Sequence, residues 1–167
     1  MIRKQDNKGG TNMTEQEKYA MDRLSECLEI QIGTKDNCID RCRKRMDSDY
    51  LYYFAWEGKD LYKAHYMAAR YRELHKFVKM AGSLQEVQEY LRQEREKCIG
   101  TLLDEEIYTH HTEDIFNLAH SYKMECVQQL VKDYNGFGRI LSMKSPREEV
   151  KTGKSPDIKE RSNRLKI

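Results

Sequence analysis

Two cysteines and two histidines come nearest, by type and spacing, to forming a metal site in this chain. Cys38 and Cys42 lie one helical turn apart, and His110 and His111 fall in a predicted connection between helices. Thiolate and imidazole are ligands that zinc prefers, so a zinc site is one interpretation. The other is a pair of core thiols and a polar loop, because the spacing lacks the turn geometry of a zinc knuckle. We expect the second, with no metal and no cofactor.

Motifs typical of enzymes are missing from the sequence. A di-metal carboxylate site in a helical bundle uses Glu-x-x-His, and none of the five histidines has a glutamate three residues before it. No glycine-rich phosphate loop follows a predicted strand. The acidic cluster Asp104-Glu105-Glu106 does not have the spacing of a calcium loop. We therefore predict a protein that is not an enzyme and has no catalytic residues.

Aromatic residues are concentrated between Tyr50 and Tyr71, in a stretch that also has the pattern of a helix. Tyr50, Phe54 and Tyr71 share a face with other apolar residues, which predicts that they lie in the core. A second stripe at helical spacing alternates aromatic and cationic side chains, and we predict that it binds a partner. Its members are Tyr52, Trp56, Lys59, Lys63, Tyr66 and Arg70.

This second stripe has two functional interpretations and one structural alternative. Tryptophan, tyrosine and arginine anchor protein interfaces. Rings beside cations also bind single-stranded nucleic acid, through base stacking and phosphate contacts. The structural alternative is that neighbouring helices cover the stripe, because a central helix is often buried on several sides. The exposure of these side chains decides between a partner surface and a buried helix.

Capping boxes and glycines mark the predicted helix boundaries. Residues 14–17 (Thr-Glu-Gln-Glu) and 83–86 (Ser-Leu-Gln-Glu) each predict the start of a helix. Gly33 predicts the end of the first helix, although the next segment could continue it after a kink. A long helical pattern runs from residue 49 to residue 80, and the last amphipathic stripe closes at residues 135–136. The sequence thus predicts an all-α fold, an antiparallel bundle of four to five helices with a long aromatic-rich central helix.

Composition and charge divide the chain of 167 residues into three parts. Charged residues make up 35% and the mean hydropathy is -0.92, which is typical of a water-soluble helical domain. Residues 1–12 are predicted to be a disordered leader, residues 13–138 the helical bundle domain, and residues 139–167 a basic, flexible tail. The tail has nine basic and four acidic residues, whereas the bundle domain carries a net charge of -5.

Two features indicate the cellular setting. No apolar run is long enough to span a membrane or to form the core of a signal peptide, and five cysteines suit a reducing compartment, so we expect a cytoplasmic protein without membrane contact. Residues 8–12 (Lys-Gly-Gly-Thr-Asn) before Met13 are what translation of a bacterial ribosome-binding sequence would give. Translation starts either at Met13, in a bacterium or phage, or at Met1 with an ordinary polar leader.

These observations favour a non-enzymatic binding protein that docks on a larger protein. A small helical chain without motifs resembles in profile the regulators and inhibitors of phages and mobile elements. The expected partner is therefore a nucleic-acid-processing host defence complex, which would make the chain an anti-CRISPR-like inhibitor. The alternative is a nucleic-acid-binding regulator that uses the stripe together with cations of the tail. Those cations are Lys144, Arg147, Lys151 and Lys154. A homodimer that buries the surplus aromatic residues is also compatible with the sequence.

Overall fold

The computed structural model describes residues 13–104 and 113–144, and these residues form helices and no β-strand. Four helices are long, and a short helical turn and a π-helical turn connect the first to the second. The elements are α1 (Glu15–Ser48), α2 (Tyr50–Tyr52), the π-helical turn (Tyr53–Glu57), α3 (Gly58–Met80), α4 (Leu84–Asp104) and α5 (Asp114–Leu141). The prediction of an all-α chain is confirmed for these residues.

Both predicted capping boxes begin a helix. The backbone N–H of Glu17 donates to Oγ1 of Thr14 at 3.2 Å, and Thr14 N–H donates to Oε2 of Glu17 at 2.8 Å. The backbone N–H of Glu86 donates to Oγ of Ser83 at 3.3 Å, while the Glu86 carboxylate accepts from Gly82 N–H at 2.9 Å. These side chains satisfy amides that the first turn of a helix leaves without partners.

The predicted break at Gly33 is wrong, because α1 continues through it to Ser48. Thr34 does not cap a new helix; its hydroxyl donates to the carbonyl oxygen of Ile30 at 2.9 Å. A single glycine costs a helix only about 1 kcal/mol. Burial of Leu28 before it and Ile39 after it outweighs that cost.

The helix predicted from residue 49 to residue 80 contains a π-helical turn. The backbone N–H of Gly58 donates to the carbonyl oxygen of Tyr53, five residues earlier. A π-helical turn holds more residues than an α-helical turn, so side chains before it are rotated relative to those after it. Tyr50 and Phe54, predicted to be in the core, are therefore exposed, whereas Tyr71 is buried as predicted.

The last helix extends beyond the predicted end at residues 135–136. It continues to Leu141, so residues 139–141, assigned to the tail, belong to α5. Phe137 and Leu141 are buried, and their packing holds the helix together through Gly136 and Gly138. Composition alone did not reveal this, because two glycines in three residues are typical of a helix end.

Contacts between side chains give the directions of the helices. The Arg72–Asp36 and Lys79–Glu29 ion pairs make α1 and α3 antiparallel. A hydrogen bond from Arg95 to Asn135 joins α4 to α5. Residues from all four long helices form one core. Its members include Leu24, Leu28, Met67, Tyr71, Leu74, Val78, Val87, Leu91, Cys126, Leu130, Tyr134 and Phe137.

Two further sets of contacts show which helix ends lie at the same end of the molecule. Lys59 near the start of α3 binds Glu125 of α5, and Tyr71 further along α3 donates to Asp133 further along α5, so these helices run in the same direction. The Gln16 side chain donates to the carbonyl oxygen of Met143, which brings the start of α1 to the end of α5. The turn between α1 and α3 therefore lies at the opposite end from the end of α5. Within the described residues, no helix has the length and apolar character needed to cross a membrane.

Candidate binding surface

The connection between α1 and α3 carries the most exposed group of large apolar side chains in the described residues. We call residues 50–57 the aromatic turn. Trp56 is 73% exposed, and four other large apolar side chains of the turn are exposed as well. These are Tyr50, Leu51, Tyr52 and Phe54. Large contiguous apolar patches are uncommon on monomeric proteins and usually mark a contact site.

Local hydrogen bonds hold the backbone of the aromatic turn. The Asp49 carboxylate accepts from the backbone N–H of Tyr52 at 3.0 Å and so caps the short helix α2. The Cys42 thiol donates to the carbonyl oxygen of Glu57 at 4.0 Å, which ties the end of the turn to α1. The rings thus project from a backbone that is fixed at both ends.

The exposed rings also contact each other and a neighbouring cation. The rings of Tyr50 and Phe54 stack with centroids 6.3 Å apart. The Arg45 guanidinium lies 5.0 Å from the centroid of the Tyr52 ring, within cation–π range. These contacts orient the rings without covering Trp56.

The predicted stripe does not form a single exposed surface. Tyr52 and Trp56 are exposed as expected. Lys59 and Lys63 instead face α5, where their Nζ atoms lie 2.7 and 2.9 Å from the two carboxylate oxygens of Glu125. The π-helical turn separates the two halves of the stripe, because it changes the rotation between Trp56 and Lys59.

Tyr66 and Arg70 are also engaged within the fold and half-buried. The Tyr66 ring stacks on Tyr62 with centroids 6.4 Å apart. The Arg70 guanidinium lies 5.7 Å from the Tyr66 centroid and donates to Glu73 at 2.9 Å. Lys59 and Lys63 therefore follow the structural alternative, in which a neighbouring helix covers the stripe, whereas these contacts of Tyr66 and Arg70 are with residues of their own helix.

Ion pairing with Glu125 partly compensates the charges of the two lysines of the stripe. Hydrogen bonding to Glu125 raises the pKa of Lys59. Hydrogen bonds from Lys59 and Lys63 lower the pKa of Glu125. The two ammonium groups share this one carboxylate.

The region around the aromatic turn is electrically balanced. Residues 40–60 contain five cationic and five anionic side chains. Arg43, Lys44 and Arg45 are exposed at the end of α1, next to the turn, and Asp47 and Asp49 are exposed among them. An apolar centre with charges of both signs around it resembles a protein interface more than a nucleic-acid channel.

A second exposed apolar group lies at the same end of the molecule, where α4 ends and α5 begins. Its members are Leu103, Ile115, Phe116 and Leu118. Ile115 and Leu118 continue the apolar spacing of α5 towards its start, but both are exposed there. Periodicity indicates a face, but it does not indicate how far along a helix that face is covered.

Some of the remaining candidate residues lie within the described residues and others lie outside them. The pKa of Cys42 is raised, chiefly by burial, so it is a protonated core thiol at neutral pH. In residues 13–104 and 113–144, no three His, Cys, Asp or Glu side chains are arranged to hold a metal. Lys144 is exposed. The other predicted residues of the tail, and the histidine pair, lie outside the described residues; they are Arg147, Lys151, Lys154, His110 and His111.

Comparison with known proteins gives no further assignment. The chain matches no protein-family model, no curated protein and no solved structure.

Proposed function

We propose that this chain is a non-enzymatic binding protein that docks on a larger protein through the aromatic turn. The observation that carries the proposal is the exposure of Trp56, at 73%, within a group of exposed apolar side chains on a hydrogen-bonded backbone. Burying such rings against a partner is strongly favourable, and tryptophan and tyrosine are enriched among the residues that dominate interface energies.

The partner we propose is a nucleic-acid-processing complex, as for an anti-CRISPR-like inhibitor from a phage or mobile element. Support comes from the net charge of -5 on residues 13–138, which complements a partner with a basic nucleic-acid channel. Support for the origin comes only from analogy with other small helical inhibitors that lack motifs.

Direct nucleic-acid binding through the predicted stripe has less support. Its cations Lys59, Lys63 and Arg70 already bind two carboxylates of the chain, which compensate two of their three charges and leave less charge for a phosphate backbone. The exposed run of Arg43, Lys44 and Arg45 beside the rings is the observation that favours this second function. Binding of a labelled single strand that weakens steeply with added salt would support it.

A comparative pulldown from a bacterial lysate tests the proposal. The wild-type chain and Trp56→Ala are compared with Ile30→Ala, a matched control that removes an exposed apolar side chain (69%) from the middle of α1. We expect a partner that the wild type and Ile30→Ala retain and Trp56→Ala loses. All three chains should unfold at similar denaturant concentrations, since exposed substitutions change stability by only about 0.5 kcal/mol.

Two outcomes would contradict the proposal. If the three chains retain the same proteins in the same amounts, Trp56 is not part of the interface. If the wild type sediments as a dimer that Trp56→Ala dissociates, a second copy of the chain occupies the surface instead of a foreign protein.

A further inference from the structure

A groove between α4 and α5 lies at the end of the molecule opposite the aromatic turn. It has a volume of about 410 Å³, within the range of small-molecule sites. Its floor includes Leu91 and Tyr134, both buried. Its polar lining comes from side chains of both helices, and none of the described residues that line it is acidic. These polar residues are Gln88, Arg92, Arg95, Asn135, Arg139 and Ser142.

The arginines of this groove differ in how far their charges are compensated. Arg92 at the rim pairs with Glu89 and Glu96, both at 2.6 Å. Within the described residues, neither Arg95 nor Arg139 has a carboxylate within ion-pair distance. Most arginines elsewhere do have one, namely Arg23, Arg41, Arg43, Arg70 and Arg72. Two uncompensated guanidinium groups therefore lie in one groove.

Arg95 also has an unsatisfied donor. One of its terminal nitrogens donates to Oδ1 of Asn135 at 3.0 Å, which holds the side chain against α5. Its Nε is buried and has no hydrogen-bond partner among the described residues. A buried donor without a partner is unfavourable, and a guanidinium is suited to bidentate binding of an oxyanion.

We propose that this groove binds the phosphate group of a small phosphomonoester. Arg95 and Arg139 supply two positive charges, which match the charge of about -2 on a phosphomonoester near neutral pH. The phosphate oxygens accept from both guanidinium groups, and Gln88 and Asn135 offer amides to the rest of the ligand. This site is separate from the aromatic turn, so it does not depend on the proposed partner.

Calorimetric titration with defined probes tests this site. We expect saturable binding of AMP and of inorganic phosphate at one site per chain, and no binding of adenosine, which lacks the phosphate. Arg95→Ala and Arg139→Ala should each weaken AMP binding about tenfold or more, since each removes charged hydrogen bonds. Arg139 is exposed, so Arg139→Ala tests the site even if Arg95→Ala impairs folding.

Arg43→Ala is the matched control, because it removes the same charge from the other end of the molecule. The proposal is overturned if AMP shows no saturable binding, or if Arg43→Ala weakens binding as much as Arg139→Ala does. It is also overturned if an oligonucleotide without a terminal phosphate binds as tightly as one with a 5′-phosphate and loses its binding in Arg139→Ala. The groove would then recognise the phosphodiester backbone.

Discussion

Individual residues in this chain are available to a partner only where they do not already bind other residues of the same chain. Lys59 and Trp56 are three positions apart, yet the lysine binds Glu125 and the tryptophan projects into solvent. The sequence gives the type and spacing of both residues. It does not show that the lysine lies beside a carboxylate 66 positions further along the chain, so the pairing could not be predicted.

Tyr71 shows how a residue predicted to be in the core contributes to stability. Its hydroxyl donates to Oδ2 of Asp133 at 2.6 Å, and burial raises its pKa. Tyr71→Phe removes a hydrogen bond to a charged group and should lower the free energy of unfolding by about 1 to 2 kcal/mol. Urea denaturation measures this, with Tyr52→Phe on an exposed ring as the control. If Tyr71→Phe and Tyr52→Phe have equal urea midpoints, the hydrogen bond from Tyr71 to Asp133 does not stabilise the fold.

Glu125 makes stability depend on pH. The lysines lower its pKa below the ordinary value of 4.5, so the folded state releases this proton more readily than the unfolded state. Its contribution is present above about pH 4.5 and is lost as the pH falls through the lowered pKa. The melting temperature of Glu125→Gln should therefore fall less steeply in acid than that of the wild type. The difference should be small and weakened by salt, because the carboxylate is partly exposed. If the melting temperatures of the wild type and Glu125→Gln depend on pH in the same way, the ion pairs of Glu125 contribute nothing to stability.

Helix boundaries that depend on residues nearby in the sequence are predicted correctly. Boundaries that depend on tertiary packing are not. The capping boxes at residues 14–17 and 83–86 are local, and both begin helices. The continuity of α1 through Gly33 depends on apolar contacts on both sides of the glycine. The π-helical turn at Tyr53–Glu57 could not be predicted because periodicity assumes a constant number of residues per turn.

Substitutions at Gly33 test the continuity of α1. A Cβ atom at this position would meet nothing within 4 Å, and the residue is helical. Gly33→Ala should therefore stabilise the protein by about 0.5 to 1 kcal/mol, whereas Gly33→Pro should destabilise it by about 3 kcal/mol or more. Thermal unfolding of the two variants compares them directly. If proline is tolerated as well as alanine, the helix is broken at this position as the sequence first predicted.

At the scale of the whole molecule, the two ends have different surfaces. One end carries the aromatic turn in a charge-balanced region, and the other has the groove with its uncompensated arginines. The exposure of Tyr52 and Trp56 agrees with the sequence-based prediction. The groove could not be predicted, because Arg95 and Arg139 are 44 positions apart and only the pairing of α4 with α5 brings them together.

Fluorescence of the isolated protein most directly tests whether the aromatic turn is a free surface. Trp56 is the only tryptophan in the chain, so its emission reports on this surface alone. We predict that the folded protein emits at nearly the same wavelength as the urea-unfolded chain, is readily quenched by iodide, and shows no dependence on protein concentration. A blue-shifted emission that resists quenching would contradict the account, because Trp56 would then be covered by its own chain or by a second copy.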